Sequence, residues 1–155
     1  MKYPNLEKLV DIIAVLRSEN GCEWDREQTH KSLRPNMLEE AYEAVDAIDE
    51  GDISNLREEL GDVLLQVVLH AQIAKDDGEF DIEDVAKELS DKLIHRHPHV
   101  FGNTEVHSTQ EILDNWDKLK KEEKTYRKSV LDGISKSQSA LMSAQKISKK
   151  VVKVG

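Results

Sequence analysis

The chain has 155 residues, room for one domain of ordinary size, and carries 22 Lys and Arg against 31 Asp and Glu, a net charge of -9. Apolar residues make up 38%, and no apolar run approaches the roughly 18–20 residues of a membrane span. The single cysteine, Cys22, allows no internal disulfide and suits a reducing cytoplasm, and the opening MKYPNLEKLVDII lacks the unbroken apolar stretch of a signal peptide.

Apolar residues recur at helical spacing along nearly the whole chain, and alternating β-type patterns are missing. The spacing predicts a first helix over about 5–18, with Leu6, Leu9, Val10, Ile13 and Leu16 on one face. Asn20-Gly21 reads as its left-handed stop, and Cys22-Glu23-Trp24-Asp25 as a loop. A second helix runs from Pro35, whose missing N–H suits a first turn, to Glu50, with Leu38, Tyr42, Val45 and Ile48 as its apolar stripe. Gly51-Asp52 turns the chain into a third helix from Ser54 to Lys75, whose stripe includes Leu56, Leu60, Val63, Leu64 and Val67. A fourth helix covers Ile82 to Arg96 and ends at His97-Pro98. Residues 101–107 read as a loop, a fifth helix runs from Thr109 to Tyr126, and a sixth from Gln138 to Lys153 after a break at Asp132-Gly133.

The expected class is therefore all-α, a helical bundle with a four-helix core. In the third helix Val63, Leu64, Leu65, Val67, Val68, Leu69 and Ile73 cover almost the whole circumference, and such a helix must be covered on all sides. The expectation is a homo-oligomer, with a dimer favoured; the alternative is a central helix in a monomeric bundle.

Charge divides the chain. Residues 1–117 hold 11 basic and 28 acidic side chains, and residues 118–155 hold 11 basic and 3 acidic. An acidic body argues against nucleic-acid binding, which needs basic groups to neutralise phosphates, and suits divalent cations. The basic end reads either as a solvated helix face or as a surface for an anion or acidic partner. No GxxxxGK, GxGxxG or CxxC occurs, so P-loop, Rossmann and zinc-ribbon chemistry have no support.

The sharpest feature is Glu39-Glu40-Ala41-Tyr42-Glu43 followed by Glu58-Glu59-Leu60-Gly61-Asp62. Glu40 and Glu43 share a helix face at i,i+3, as do Glu59 and Asp62. Glu43 and Glu59 each lie 8 residues from Gly51, and Glu40 and Asp62 each lie 11. In an antiparallel hairpin equal distance from the turn means similar height, so the four acids form two facing rungs about 5 Å apart. Converging carboxylates repel one another unless a cation sits among them. Oxygen ligands without Cys or His point to Mg²⁺, with Mn²⁺ a substitute. A di-iron site wants a Glu-x-x-His on each of two helices, and only Glu27 to His30 fits that pattern. The bland alternative is a set of solvated helix faces.

The segments GCEWDREQTHKSLRPNMLEEAYEAVDAIDEGD, LREELGDVLLQVVLHAQIA and DKLIHRHPHVFG together resemble the MazG family of all-α nucleoside triphosphate pyrophosphohydrolases, over about residues 9–125. The resemblance implies hydrolysis of a nucleoside triphosphate between the α and β phosphates, giving NMP and pyrophosphate. It implies Mg²⁺ ligation by Glu40, Glu43, Glu59 and Asp62, while Glu39 resembles the residue that helps hold a metal-bound water or a second metal. Lys92 and Arg96, i,i+4 on one face, resemble a phosphate clamp. Trp116 and Lys120 resemble a base-stacking and phosphate-holding pair, and Trp24 either lines the nucleotide pocket or staples its loop. The alternatives are exposed salt bridges for the cations and a core anchor for Trp116. His95, His97 and His99 flank a proline and are expected to pack around the helix end rather than to bind zinc. Glu23 stands where the family often has Pro.

The resemblance also implies an organisation: residues 1–130 as the pyrophosphohydrolase domain, and 131–155 as a basic helical tail resembling a linker into an absent second domain. The chain reads as a natural single-domain form or as a shortened one. Two other functions stay open: a catalytically weak nucleotide- or protein-binding module, and a phosphoribosyl-ATP pyrophosphohydrolase. GCxWD and RHPHVFG favour the first family over the last.

Overall fold

A computed structural model of the chain describes residues 3–123, 129 and 131–152. Among the described residues there are eight helices and no strand: α1 (Pro4–Arg17), α2 (Glu23–Glu27), α3 (Arg34–Glu50), α4 (Ile53–Asp76), α5 (Ile82–Arg96), α6 (Pro98–Phe101), α7 (Thr109–Glu122) and α8 (Ala140–Val152). The all-α class is as the sequence predicts. The chain divides into two compact units, residues 1–90 and 91–155.

In the first unit α3 packs along α4, while α1 packs on α4 and touches α2. The turn that makes the α3–α4 hairpin is built from two residues. Gly51 adopts φ 72°, a left-handed conformation open to glycine at no steric cost. The Asp52 N–H donates to Ala47 O at 3.1 Å, and the Gly51 N–H to Ile48 O at 3.1 Å, so two terminal carbonyls of α3 are satisfied. The Asp52 carboxylate then caps α4, accepting from Ser54 N at 2.9 Å and Asn55 N at 3.0 Å. This short turn fixes the register of everything along the hairpin.

The core of this unit is Ile13, Leu33, Val68, Leu69 and Ile73, with Leu9, Val10, Leu16, Leu65 and Ile82 packed around it. Burying a Leu side chain such as Leu33 stabilises by roughly 2 kcal/mol. Arg17 ties the pieces together. It donates through Nε to Asp76 at 2.8 Å and through Nη1 to the carbonyls of Asp25 and Gln28. One guanidinium thus joins the ends of α1 and α4 to α2 and the loop after it.

Several local expectations change. The first helix does not end in a left-handed residue at Asn20-Gly21: its C-cap is Ser18 in extended conformation, and Gly21 does not have a positive φ. Glycine is needed at 21 for a close approach, since a Cβ there would lie 2.2 Å from Leu16 O and 2.3 Å from Val15 O. Cys22 N donates to Leu16 O at 2.8 Å across that contact. Gly21→Ala is therefore expected to destabilise the chain by at least about 2 kcal/mol, read as a lower denaturant midpoint.

Residues 22–25 are not a loop; they open α2, a single turn too short to display a period, with Glu23 and Asp25 favourably placed at its positive end. An extra turn, α6, follows Pro98 before the remaining loop. α7 ends at Glu122; its expected end at Tyr126, like Lys153 at the end of the last helix, lies outside the described residues.

The largest correction concerns the stripe of α3. Leu38, Tyr42, Val45 and Ile48 are exposed, at 54%, 61%, 49% and 58%. The α3–α4 seam is closed instead by Ala44 and Ala47, whose small side chains let the two backbones approach. On α4, Leu60 and Leu64 are also exposed, whereas Val68, Leu69, Ala71, Ile73 and Ala74 are buried. The half of α4 nearer its C-terminus is covered within the chain, and the half carrying the acids is not. Helical register puts the open stripes of both helices on one side of the hairpin, away from Glu39, Glu43 and Glu58.

Candidate active site

The hairpin register gathers carboxylates. Oxygens of Glu40, Glu43 and Glu59 lie within 4.8 Å of one another, from positions one turn apart on α3 and directly across on α4. Desolvation raises the Glu40 carboxyl above its ordinary value, and the charges of Asp62, Glu43, Glu39 and Glu59 raise it further. Glu59 is raised in the same way, by desolvation and then by Glu43, Asp62 and Glu58, against an opposing hydrogen bond from Asn55. Asp62 is not one of the three clustered acids, but its charge acts on both Glu40 and Glu59, and Glu39 acts on Glu40. Three acceptor-only groups that repel one another fit a hard divalent cation: an all-oxygen donor set is what Mg²⁺ takes.

The sequence-predicted cationic and aromatic residues are distributed over both units. Trp24 sits on α2 in the first unit and is 55% exposed. In the second unit, Lys92 and Arg96 lie on α5, and Trp116 and Lys120 on α7. Arg96 forms a two-pronged ion pair with Glu123, with Nε 3.1 Å from Oε1 and 3.2 Å from Oε2. This bond raises the guanidinium pKa and holds the Glu123 carboxyl below its ordinary value, helped by the charges of His95 and Lys92. The Arg96 guanidinium also lies 5.4 Å from the centre of the Trp116 ring. His97 meets the other side of the pattern, its ring edge-on to Trp116 at 4.8 Å, and its Nδ1 lies 2.7 Å from Leu93 O. His97 thus packs at the end of α5 against half-buried Trp116, with the His99 ring tilted against that of His97 at 5.6 Å, whereas His95 is exposed and faces Glu123.

Sequence reading missed three features. Arg96 and Glu123 are 27 residues apart, and no local pattern pairs them. His30 and His70 are 40 apart, yet their rings stack at 5.0 Å with Nδ1 atoms 2.7 Å from each other, joining the loop before α3 to α4. Burial and the charge of His30 hold the His70 pKa below its ordinary value. The third, Gln66, was visible as a lone polar residue inside the run Val63 to Leu69, four positions after Asp62.

Comparisons agree with this architecture. Residues 28–101 match the MazG nucleotide pyrophosphohydrolase domain. The chain is 50% identical over 150 residues to the nucleoside triphosphate pyrophosphohydrolase/pyrophosphatase MazG of Thermotoga maritima, covering 96% of this chain and 57% of that protein. It is 46% identical over 153 residues to the nucleoside triphosphate pyrophosphohydrolase of Escherichia coli, covering 97% of this chain and 58% of that one. It is also 50% identical to YabN of Bacillus subtilis, spanning 30% of its length. The chain thus spans between about a third and three fifths of these relatives. The crystal structure of a mazG-related protein from Thermotoga maritima superposes with a TM-score of 0.62 at 31% identity, covering 74% of this chain and 98% of that one. Matching 98% of that structure at 31% identity, the chain belongs to the MazG nucleotide pyrophosphohydrolase family.

Proposed function

We propose that the chain hydrolyses nucleoside triphosphates at the α–β phosphate bond, releasing NMP and pyrophosphate with Mg²⁺, or Mn²⁺ in its place. The observation that carries this reading is the convergence of Glu40, Glu43 and Glu59 within 4.8 Å on adjacent helices. The longer relatives named for this activity support it.

In this reading Glu40, Glu43, Glu59 and Asp62 hold the cation, and Glu39 lies beside them to take a proton. The bound cation supplies charge neutralisation for the triphosphate and a more acidic water. Lys92, Arg96 and Lys120 hold phosphate oxygens; for Arg96 this means exchanging the carboxylate of Glu123 for a phosphate, the same bidentate geometry with another anion. Trp24 on the first unit and Trp116 on the second each offer an aromatic face for a base, and stacking tolerates any base, so broad nucleotide use follows. The exposed stripe of Leu38, Tyr42, Val45 and Ile48 with Leu60 and Leu64 is the contact of a homodimer. No helix of the described residues is long and apolar enough to cross a membrane. The reading places the protein in the cytoplasm, where its substrates are, and leaves nucleic acid out as a partner.

The test is a panel of ribo- and deoxyribonucleoside triphosphates, each with Mg²⁺ or with EDTA, read as pyrophosphate released. The expected result is release from several nucleotides with Mg²⁺ and from none with EDTA. No release from any would leave a nucleotide- or protein-binding module.

A further inference from the structure

Gln66 is 5% exposed on α4, and its Oε1 is fully buried with no hydrogen-bond partner. A buried carbonyl without a donor is costly, and such atoms are rare in folded proteins. Gln66 follows Asp62 by four residues and Glu59 by seven, so all three share the face of α4 that meets α3. Helical side chains lean toward the helix N-terminus, which brings the Gln66 carboxamide back toward the turn that holds Asp62 and Glu59. On the antiparallel α3, Glu40 leans toward its own N-terminus, and so toward the level of Gln66.

The surrounding groups narrow what satisfies this atom. Carboxylates and phosphate oxygens are acceptors and offer it nothing. A hydrated cation answers both deficits in the seam, because the acids need positive charge and the amide oxygen needs a donor. Mg²⁺ gives up its waters reluctantly, and those it keeps are strong donors. We infer that Gln66 is a positioning residue whose Oε1 accepts a hydrogen bond from a water in the hydration shell of the cation held by the acid cluster. The inference rests on the reading of that cluster as a divalent-cation site. Its consequence is a choice of ion state: Gln66 favours a cation that arrives with water over one stripped to the carboxylates.

The experiment is Mn²⁺ binding to the full chain without nucleotide, followed by the EPR signal of free Mn²⁺, alongside thermal melting in EDTA. Four proteins are compared: wild type, Glu43→Gln, Gln66→Met and Gln66→Glu. Met is nearly the shape of Gln but a feeble acceptor. Gln66→Met is expected to weaken Mn²⁺ binding about tenfold, and in EDTA to melt about 3 °C higher, because the orphaned oxygen is gone. Gln66→Glu keeps an acceptor and is expected to bind Mn²⁺ at least as tightly as wild type. A residue that merely packs would lose melting temperature in Gln66→Met and leave Mn²⁺ affinity alone, and that result overturns the inference. If wild type binds no Mn²⁺, the cation reading of the cluster itself fails. If Glu43→Gln abolishes binding and Gln66→Met leaves it unchanged, the cluster stands and only the role of Gln66 falls.

Discussion

Glu43→Gln is expected to lower pyrophosphate release by at least about 100-fold, the scale on which one preorganised charged group acts at a reacting centre, while circular dichroism shows the helices intact. The side chain is exposed and closes no core, so the fold has no use for its charge. The same change is expected to raise the melting temperature in EDTA by about 2 °C. Glu43 is among the charges that push up the carboxyls of both Glu40 and Glu59, and neutralising it relieves both. The sign with pH follows. Acids whose folded pKa is raised add stability below their unfolded value of 4.5 and lose it as pH rises through the folded value. The advantage of Glu43→Gln in EDTA is thus full near neutral pH and shrinks toward pH 4.5. Loss of stability with retained activity would mean that Glu43 is an ordinary surface acid.

Val45→Glu is expected to separate the homodimer proposed above, with a dissociation constant at least about 100-fold higher by sedimentation, because it would place a charge in the middle of the proposed apolar contact. Val45 is 49% exposed within one chain and sits between Leu38, Tyr42 and Ile48 on the open side of the hairpin. The stripe lies on the side of the hairpin away from Glu39, Glu43 and Glu58, so a helical monomer that still binds Mn²⁺ is the expected product. A wild-type chain that sediments as a monomer would contradict the assignment and leave that face to some other partner.

The fold was legible where it depends on period and punctuation. The bounds of α5 follow from Ile82 and Arg96 themselves, and the α3–α4 hairpin from Gly51-Asp52 between two periodic runs. The acid cluster was legible for the same reason: a two-residue turn leaves little freedom in register, so counting from Gly51 located the clustered acids. What was hidden depends on tertiary contact. Gly21 looked like a left-handed cap because glycine serves both purposes, and only the packing of its backbone on Leu16 shows which applies. Leu38, Tyr42, Val45 and Ile48 have the pattern of a buried face, and pattern alone does not say whether the same chain or another one covers it. The Arg96–Glu123 pair joins residues too far apart for any helix rule to connect.

The central claim is that the acid cluster supports cleavage between the α and β phosphates. The most direct measurement is a ³¹P NMR time course of ATP with the purified chain and Mg²⁺, repeated with EDTA. A growing pyrophosphate signal in step with AMP, without inorganic phosphate or ADP, is the expected result, with no reaction in EDTA. ADP and inorganic phosphate as the products, or unchanged turnover in EDTA, would contradict it.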